Sequence, residues 1–459
     1  MTRMHRLVAA AVLVTGACDL DITNPNSPVP IGPNPTRAEV AAAATGILIA
    51  ARSDLADWVL DAGIIGREAY RFDGSDPRFL SEFLVGPLDP GSGAFGGDHW
   101  FEHYRTIRSA HNLIDAVVTA DPQQVSVAEQ AAVRGFAETF QAWSFLIVLS
   151  AHTQDSIPLA VNQPVGAPPA PYVTNDSAYA YVSALLDSAQ AHLAAGGAAF
   201  PFDLPSGFAI AATPAGFLEF NRALKARAEV YRGSLGCGAT CYNAALTALA
   251  ASFLDAGGAM GLGVYMDFGT GPGDNANVLA QDPQTSDNLV HPSLDSLAEN
   301  QAGGGLDARL LAKTVTRPPR TSTGLTSGRS FVSYPTPSSP IPLIRNEELI
   351  LLRAEALAAT GAGATAATDV NLVRTTSGNL AAIANLGAQS ADSILTVILH
   401  ERQYSLLYEG GHRWVDLRRT GRLAQIPVDR VGDVVHPTLP VPSDECLARV
   451  TDPAQCSAP

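Results

Sequence analysis

Apolar residues recur at three- and four-residue spacing over most of the chain, a pattern that predicts a succession of amphipathic helices. Residues 36–60 open on an N-cap threonine, Thr36, ahead of an Ala-rich amphipathic run. Residues 98–120 carry Trp100, Tyr104, Ile107 and Leu113 at helical spacing, and 126–151, 175–195, 213–234 and 240–255 continue the series. The period returns at 345–360 and 365–376. It ends in 392–409, where Ile394, Val397, Ile398, Leu406 and Leu407 share a stripe with Tyr404 and Tyr408. Gly410 and Gly411 follow, residues suited to a left-handed helix termination. Trp414 and Leu417 then begin a short turn able to fold back on that helix. Trp58, Trp100 and Trp143 lie within the stripes and read as core. The expected class is mainly α.

Two stretches, 63–97 and 257–342, lose the helical period and read as long irregular insertions; long loops on a helical scaffold are where binding is sought. The first carries Arg67, Tyr70, Phe72, Asp73 and Arg78, the residues expected to contact a ligand. Flat aromatic faces match the apolar face of a pyranose, and planar polar groups match its hydroxyls. The competing reading is that these aromatics pin the loop to the helices. The second stretch scatters Tyr265, Phe268, His291, Arg317, Arg320, Phe331 and Tyr334 among Gly, Ser, Thr and Pro.

Around the terminal helix stand Glu401, Arg402, Glu409, Arg413, Asp416 and Arg418 beside large apolar groups. Such matched charges predict a partly buried ion-pair network locking a helix corner, since the arginine fork holds two carboxylate oxygens at once. The run from Glu401-Arg402 through Glu409-Gly410 to Arg413-Trp414-Val415-Asp416-Leu417-Arg418 resembles the carboxy-terminal signature of the SusD/RagB family of outer-membrane nutrient-binding lipoproteins. Two departures are visible. Ser405 stands where the family usually has an acid, and the interval from Glu409 to Arg413 is one residue longer than the commonest form. Weaker likenesses follow in the family's order: 100–112, 131–136 with Ile157-Pro158-Leu159, 221–231, 307–310, 345–355, 371–374 and 437–442. The resemblance implies a tetratricopeptide-like helical-hairpin scaffold over 36–459. It implies a non-catalytic surface lipoprotein that captures an oligosaccharide or a peptide and passes it to a TonB-dependent, SusC-like outer-membrane transporter.

The amino terminus agrees with export. Arg3 and Arg6 precede an apolar run ending in Gly16-Ala17-Cys18, so 1–17 reads as a lipoprotein signal and Cys18 as the lipidated residue. Residues 18–35 are polar and Pro-rich and read as a tether to the membrane. Asp19 and Asp21 resemble, weakly, the surface-export signal of such lipoproteins. Nothing later is long and apolar enough to span a bilayer.

Cys237, Cys241, Cys446 and Cys456 form two close pairs, and Cys237/Cys241 with Cys446/Cys456 is the simplest of three possible disulfide pairings. Neither spacing is that of a zinc knuckle. A formal charge of −15 argues against nucleic acid as partner. No catalytic set, metal or cofactor is expected. His99 and His103 share a helix face, but Trp100 stands where the zincin pattern has glutamate, and the two histidines read as packing or surface groups. The alternatives are a secreted glycoside hydrolase using two carboxylates such as Asp73 and Asp76, and a helical scaffold that binds only protein.

Overall fold

The computed structural model describes residues 31–92, 96–152, 157–164 and 166–449. Cys18, the tether up to residue 30 and Cys456 lie outside the described residues. Helix α1 (Arg37–Ser53) starts on a complete capping box: Thr36 accepts from the Glu39 amide, and the Glu39 carboxylate takes the Thr36 amide at 2.7 Å. The single helix expected over 36–60 is two. The chain turns at Asp54 and resumes as α2 (Leu55–Ile65), which is buried on almost every side. An all-round apolar helix has no stripe to lose, so the break leaves no mark on the hydrophobic pattern. At this turn the Asp54 carboxylate lies 2.7 Å from Nδ1 of the buried His99.

Strand β1 (Ala69–Arg71) leads into α3 (Gly97–Val117) and α4 (Val127–Ala151), the latter capped by a second box between Ser126 and Glu129. After the short strands β2 (Ile157–Pro158) and β3 (Tyr172–Val173) come α5 (Asn175–Ala194), α6 (Pro214–Arg232) and α7 (Ala239–Ala250). Neighbours in sequence pack as hairpins, α3 on α4, α4 on α5, α5 on α6 and α6 on α7. The α4–α5 pair approaches so closely that a Cβ at Gly135 would lie 2.5 Å from Leu193, so glycine is required there. Cys237 and Cys241 are disulfide-bonded across the α6–α7 turn, and Cys446 is disulfide-bonded as well.

The second insertion supplies β4 (Gly263–Met266), β5 (Asn288–Val290), β6 (Thr314–Ser322), β7 (Leu325–Phe331) and β8 (Ile341–Arg345). Its strands join the first insertion in one antiparallel sheet of order β1-β5-β7-β6, while β4 pairs with β8. The insertions are therefore structured where irregular loops were expected. Their strands are short, and β6 contains Pro318 and Pro319 at a register shift, so no two-residue alternation announces them. Helices α8 (Asn346–Ala359), α9 (Gly363–Thr376), α10 (Ala391–Ser405) and α11 (His412–Arg419) complete the scaffold, with α8 packed on both α6 and α7. Helical hairpins thus stack in the tetratricopeptide manner along the chain, with Trp58, Trp100, Trp143 and Trp414 fully buried between them.

Candidate ligand-binding cleft

The corner between α10 and α11 forms the base of the site. Helix α10 stops at Ser405, ahead of the glycines, and Tyr408 itself takes the left-handed conformation at φ 58°. That conformation costs a non-glycine residue about 1 kcal/mol or more. Tertiary contacts hold it: the Tyr408 ring stacks 3.8 Å from Phe331, its amide donates to Glu68 and its carbonyl accepts from Tyr334 Oη at 2.8 Å. Gly411, at φ 68°, caps α11 where a Cβ would lie 2.3 Å from Ala62.

Here the charges of the corner meet. Arg402 Nε donates to Asp416 at 2.6 Å, and Arg419 bridges Asp416 at 2.9 Å and Glu355 at 2.5 and 2.7 Å. Burial alone would push the Asp416 carboxyl up, yet Arg402 and Arg419 hold it at about 2. Glu401 is paired with Arg374 and, at 2.7 Å, with Arg309. Arg413 donates to the Arg67 carbonyl at 2.7 Å, and Trp414 Nε1 donates to the His436 carbonyl at 2.8 Å. Arg418 has no carboxylate in this network: its guanidinium lies 4.4 Å over the Trp414 ring and donates to the Pro437 and Ser150 carbonyls. Ser405, at the position where the family usually has an acid, donates to Glu347 at 2.8 Å and accepts from Arg309 at 3.0 Å. Glu347 thus brings a carboxylate to this spot from α8.

Above this base lies a cleft of 600 Å³. The paired strands β4 and β8 form one wall with Tyr265 and Pro342, and Lys313, Ser333 and Tyr334 form the opposite one. Tyr265 is half-buried, with its hydroxyl donating to the Gly261 carbonyl at 2.5 Å. The floor is Arg345, Glu347 and Glu409. Arg345 reaches both acids and Lys313 reaches Glu409 at 2.7 Å. Burial raises Glu347, but Arg345 and Ser405 bring it to about 2. Burial pushes the Lys313 ammonium down, while Glu409 opposes the shift. These residues come from segments far apart in sequence, and no local motif joins them.

The residues expected to contact a ligand stand elsewhere. Arg67 is fully buried and donates to the carbonyls of Ile64, Ile65 and Val434. Tyr70 and Phe72 are each 2% exposed and stack on each other at 5.4 Å, with His291 4.7 Å from Tyr70. Protein covers their faces, with Tyr70 packed against both Phe72 and His291, so they offer no platform to a sugar. Asp73 accepts from Ser75 and Arg71, and Asp76 is paired with Arg78 at 2.8 Å. The Ser75 hydroxyl and Arg71 hold Asp73 below the usual carboxylate range, and Arg78 does the same for Asp76. Neither carboxyl is poised to give up a proton at neutral pH, as the acid of a glycosidase must be.

His99 and His103 are neither surface groups nor simple packing. His99 lies buried between Asp54, at 2.7 Å, and Asp61, at 3.1 Å, and His103 Nε2 is 3.4 Å from Asp54. Asp54 and Asp61 are seven residues apart, two helical turns, which was the available sequence signal. Among the described residues Glu299, His400 and Glu401 have spacing compatible with a metal, but Arg374 pairs with both carboxylates and Arg309 with the second oxygen of Glu401. Two guanidinium groups already occupy the place of a cation.

Residues 322–432 match the model of the SusD family. No curated protein matches the chain. Solved structures share its fold. A laminarin-binding SusD-like protein aligns with a TM-score of 0.63 at 16% identity, over 91% of this chain and 98% of its own. A SusD-like carbohydrate-binding protein from Bacteroides fragilis aligns with a TM-score of 0.67 at 15% identity, over 90% and 98%. A SusD superfamily protein from Parabacteroides distasonis gives 0.69 at 13% identity, over 89% and 97%.

Proposed function

We propose that the chain, whose residues 322–432 match the SusD family and whose fold is shared with SusD-like proteins, captures an oligosaccharide in the cleft beside Tyr265 without cleaving it. In this reading it is a lipoprotein held at the outer membrane through Cys18, and it delivers its ligand to a TonB-dependent, SusC-like transporter. The observation that carries capture over cleavage is the state of the two carboxylates on the cleft floor. Glu347 and Glu409 are both paired with cations and both held below their ordinary pKa. A glycosidase needs one carboxyl raised to act as an acid beside a second that stays ionised. The half-buried Tyr265 ring and the Ser333 hydroxyl in the same cleft supply the face and the polar group that a pyranose takes. The shared fold of solved proteins described as laminarin-binding and carbohydrate-binding supports the same ligand class. Among the described residues no helix is long and apolar enough to cross a membrane, so the proposed attachment rests on Cys18.

The test is a glycan and peptide array on the protein from Asp19 onward, with product analysis of each hit. Intact bound oligosaccharide supports capture, and cleaved product contradicts it. For the anchor, Cys18→Ala is expected to move the protein from the membrane fraction to the soluble one; unchanged fractionation contradicts lipidation at that residue.

A further inference from the structure

We infer that the cleft takes an uncharged glycan and excludes uronate and sulfated ones. This rests on the reading of the cleft as a glycan site and adds the chemical class. The inference comes from counting donors. A lysine ammonium has three N–H groups and a guanidinium five. The Lys313 ammonium donates to the Ser405 carbonyl at 2.6 Å, the Leu407 carbonyl at 3.2 Å and Glu409 at 2.7 Å, so its three are used. Arg345 donates to Glu409 from Nε and Nη2, to Glu347 and the Met260 carbonyl from Nη1, and to the Ser405 carbonyl from Nη2. Its five are used as well. Arg309 gives four of its five to Asp307, at 3.0 and 2.5 Å, to Ser405 and to Glu401, and keeps one Nη2 N–H on a side chain that is 4% exposed.

A ligand carboxylate or sulfate entering the cleft would lose its hydration and find a single N–H of the buried Arg309 to replace it, a penalty that neutral hydroxyls escape. The acids of the floor are each paired with a cation, so a cationic ligand would have to compete with Arg345 and Lys313 for them. Away from the cleft, Arg71 is paired with Asp73, Arg78 with Asp76, Arg320 with Asp287 and Arg52 of α1 with Asp274. The formal charge of −15 repels anions at longer range. What the cleft still presents is an aromatic face, proline methylenes and neutral polar groups.

The experiment is calorimetric titration of the chain from Asp19 with two matched panels of oligosaccharides. One holds neutral glucan, mannan, galactan and xylan oligomers; the other holds oligogalacturonate, alginate and chondroitin sulfate oligomers. Binding is expected in the neutral panel alone, with a Kd that does not change between about 50 and 500 mM sodium chloride. Tyr265→Ala is expected to weaken it by about tenfold or more, and Tyr265→Phe, which keeps the ring, to leave it within about twofold. Salt-sensitive binding of an acidic oligomer would overturn the inference and leave glycan capture standing. Peptide binding with neither panel bound would overturn both.

Discussion

The corner at 401–419 and the loop at 67–78 look alike in sequence: both mix arginines, acids and aromatics within a dozen or so residues. The structure uses them in opposite ways. At the corner the ion pairs are buried and join distant elements, as Arg419 on α11 joins Glu355 on α8 and Arg345 joins Glu409. In the loop the aromatics are buried and Arg67 reaches the distant Asp429 at 3.5 Å, while the charges of 71–78 pair with partners two residues away, Arg71 with Asp73 and Arg78 with Asp76. Charge beside aromatics therefore does not mark a binding site. The range over which each charge finds its partner separates a lock from a local turn.

The sharpest way to break the comparison is to remove one partner on each side. Arg402→Ala removes one of the two guanidinium partners of the fully buried Asp416, leaving Arg419, and is expected to lower stability by about 3 kcal/mol. Phe72→Ala, from the loop, is expected to cost about 3–5 kcal/mol, because its ring packs in the core against Tyr70. Chemical denaturation measures both; near-wild-type stability of Phe72→Ala would return that ring to the list of ligand contacts. Acid titration tests the buried pairs next. Asp416, Glu347 and Glu348 are held at about 2 in the folded chain, below their unfolded values. Their stabilisation is complete above about pH 4.5 and is lost as pH falls toward 2. The melting temperature is expected to fall steeply over that window, and 0.5 M salt is expected to change it little because the pairs are buried. The smallest effect is expected from Asp73→Ala, about 1 kcal/mol, since its pair with Arg71 is local and only partly buried.

The helices were legible where a cap and a stripe coincide, as at Thr36 and Ser126. The turn at Asp54 was not, because α2 is apolar on all sides and the partner of Asp54, His99, lies 45 residues away. The buried network of the corner could be read from matched charges on a helix; the residue in the left-handed conformation could not, since the neighbouring glycines looked better suited and Phe331, which holds Tyr408, is remote. The cleft stayed hidden for the same reason. Tyr265, Lys313, Arg345 and Glu409 meet only when β4, β8 and the end of α10 converge. Sequence spacing carries pairs that are near along the chain, and apart from Arg345 with Glu347 this site is made of pairs that are not.

The decisive measurement is a crystal structure of the chain from Asp19 bound to an oligosaccharide selected on the array. Intact sugar lying against the Tyr265 ring, with the Lys313–Glu409–Arg345 pairs undisturbed, is the result expected. Sugar seated on the 71–78 loop, or a ligand carboxylate displacing Glu409 from Arg345, would contradict the assignment of the cleft as a neutral glycan site.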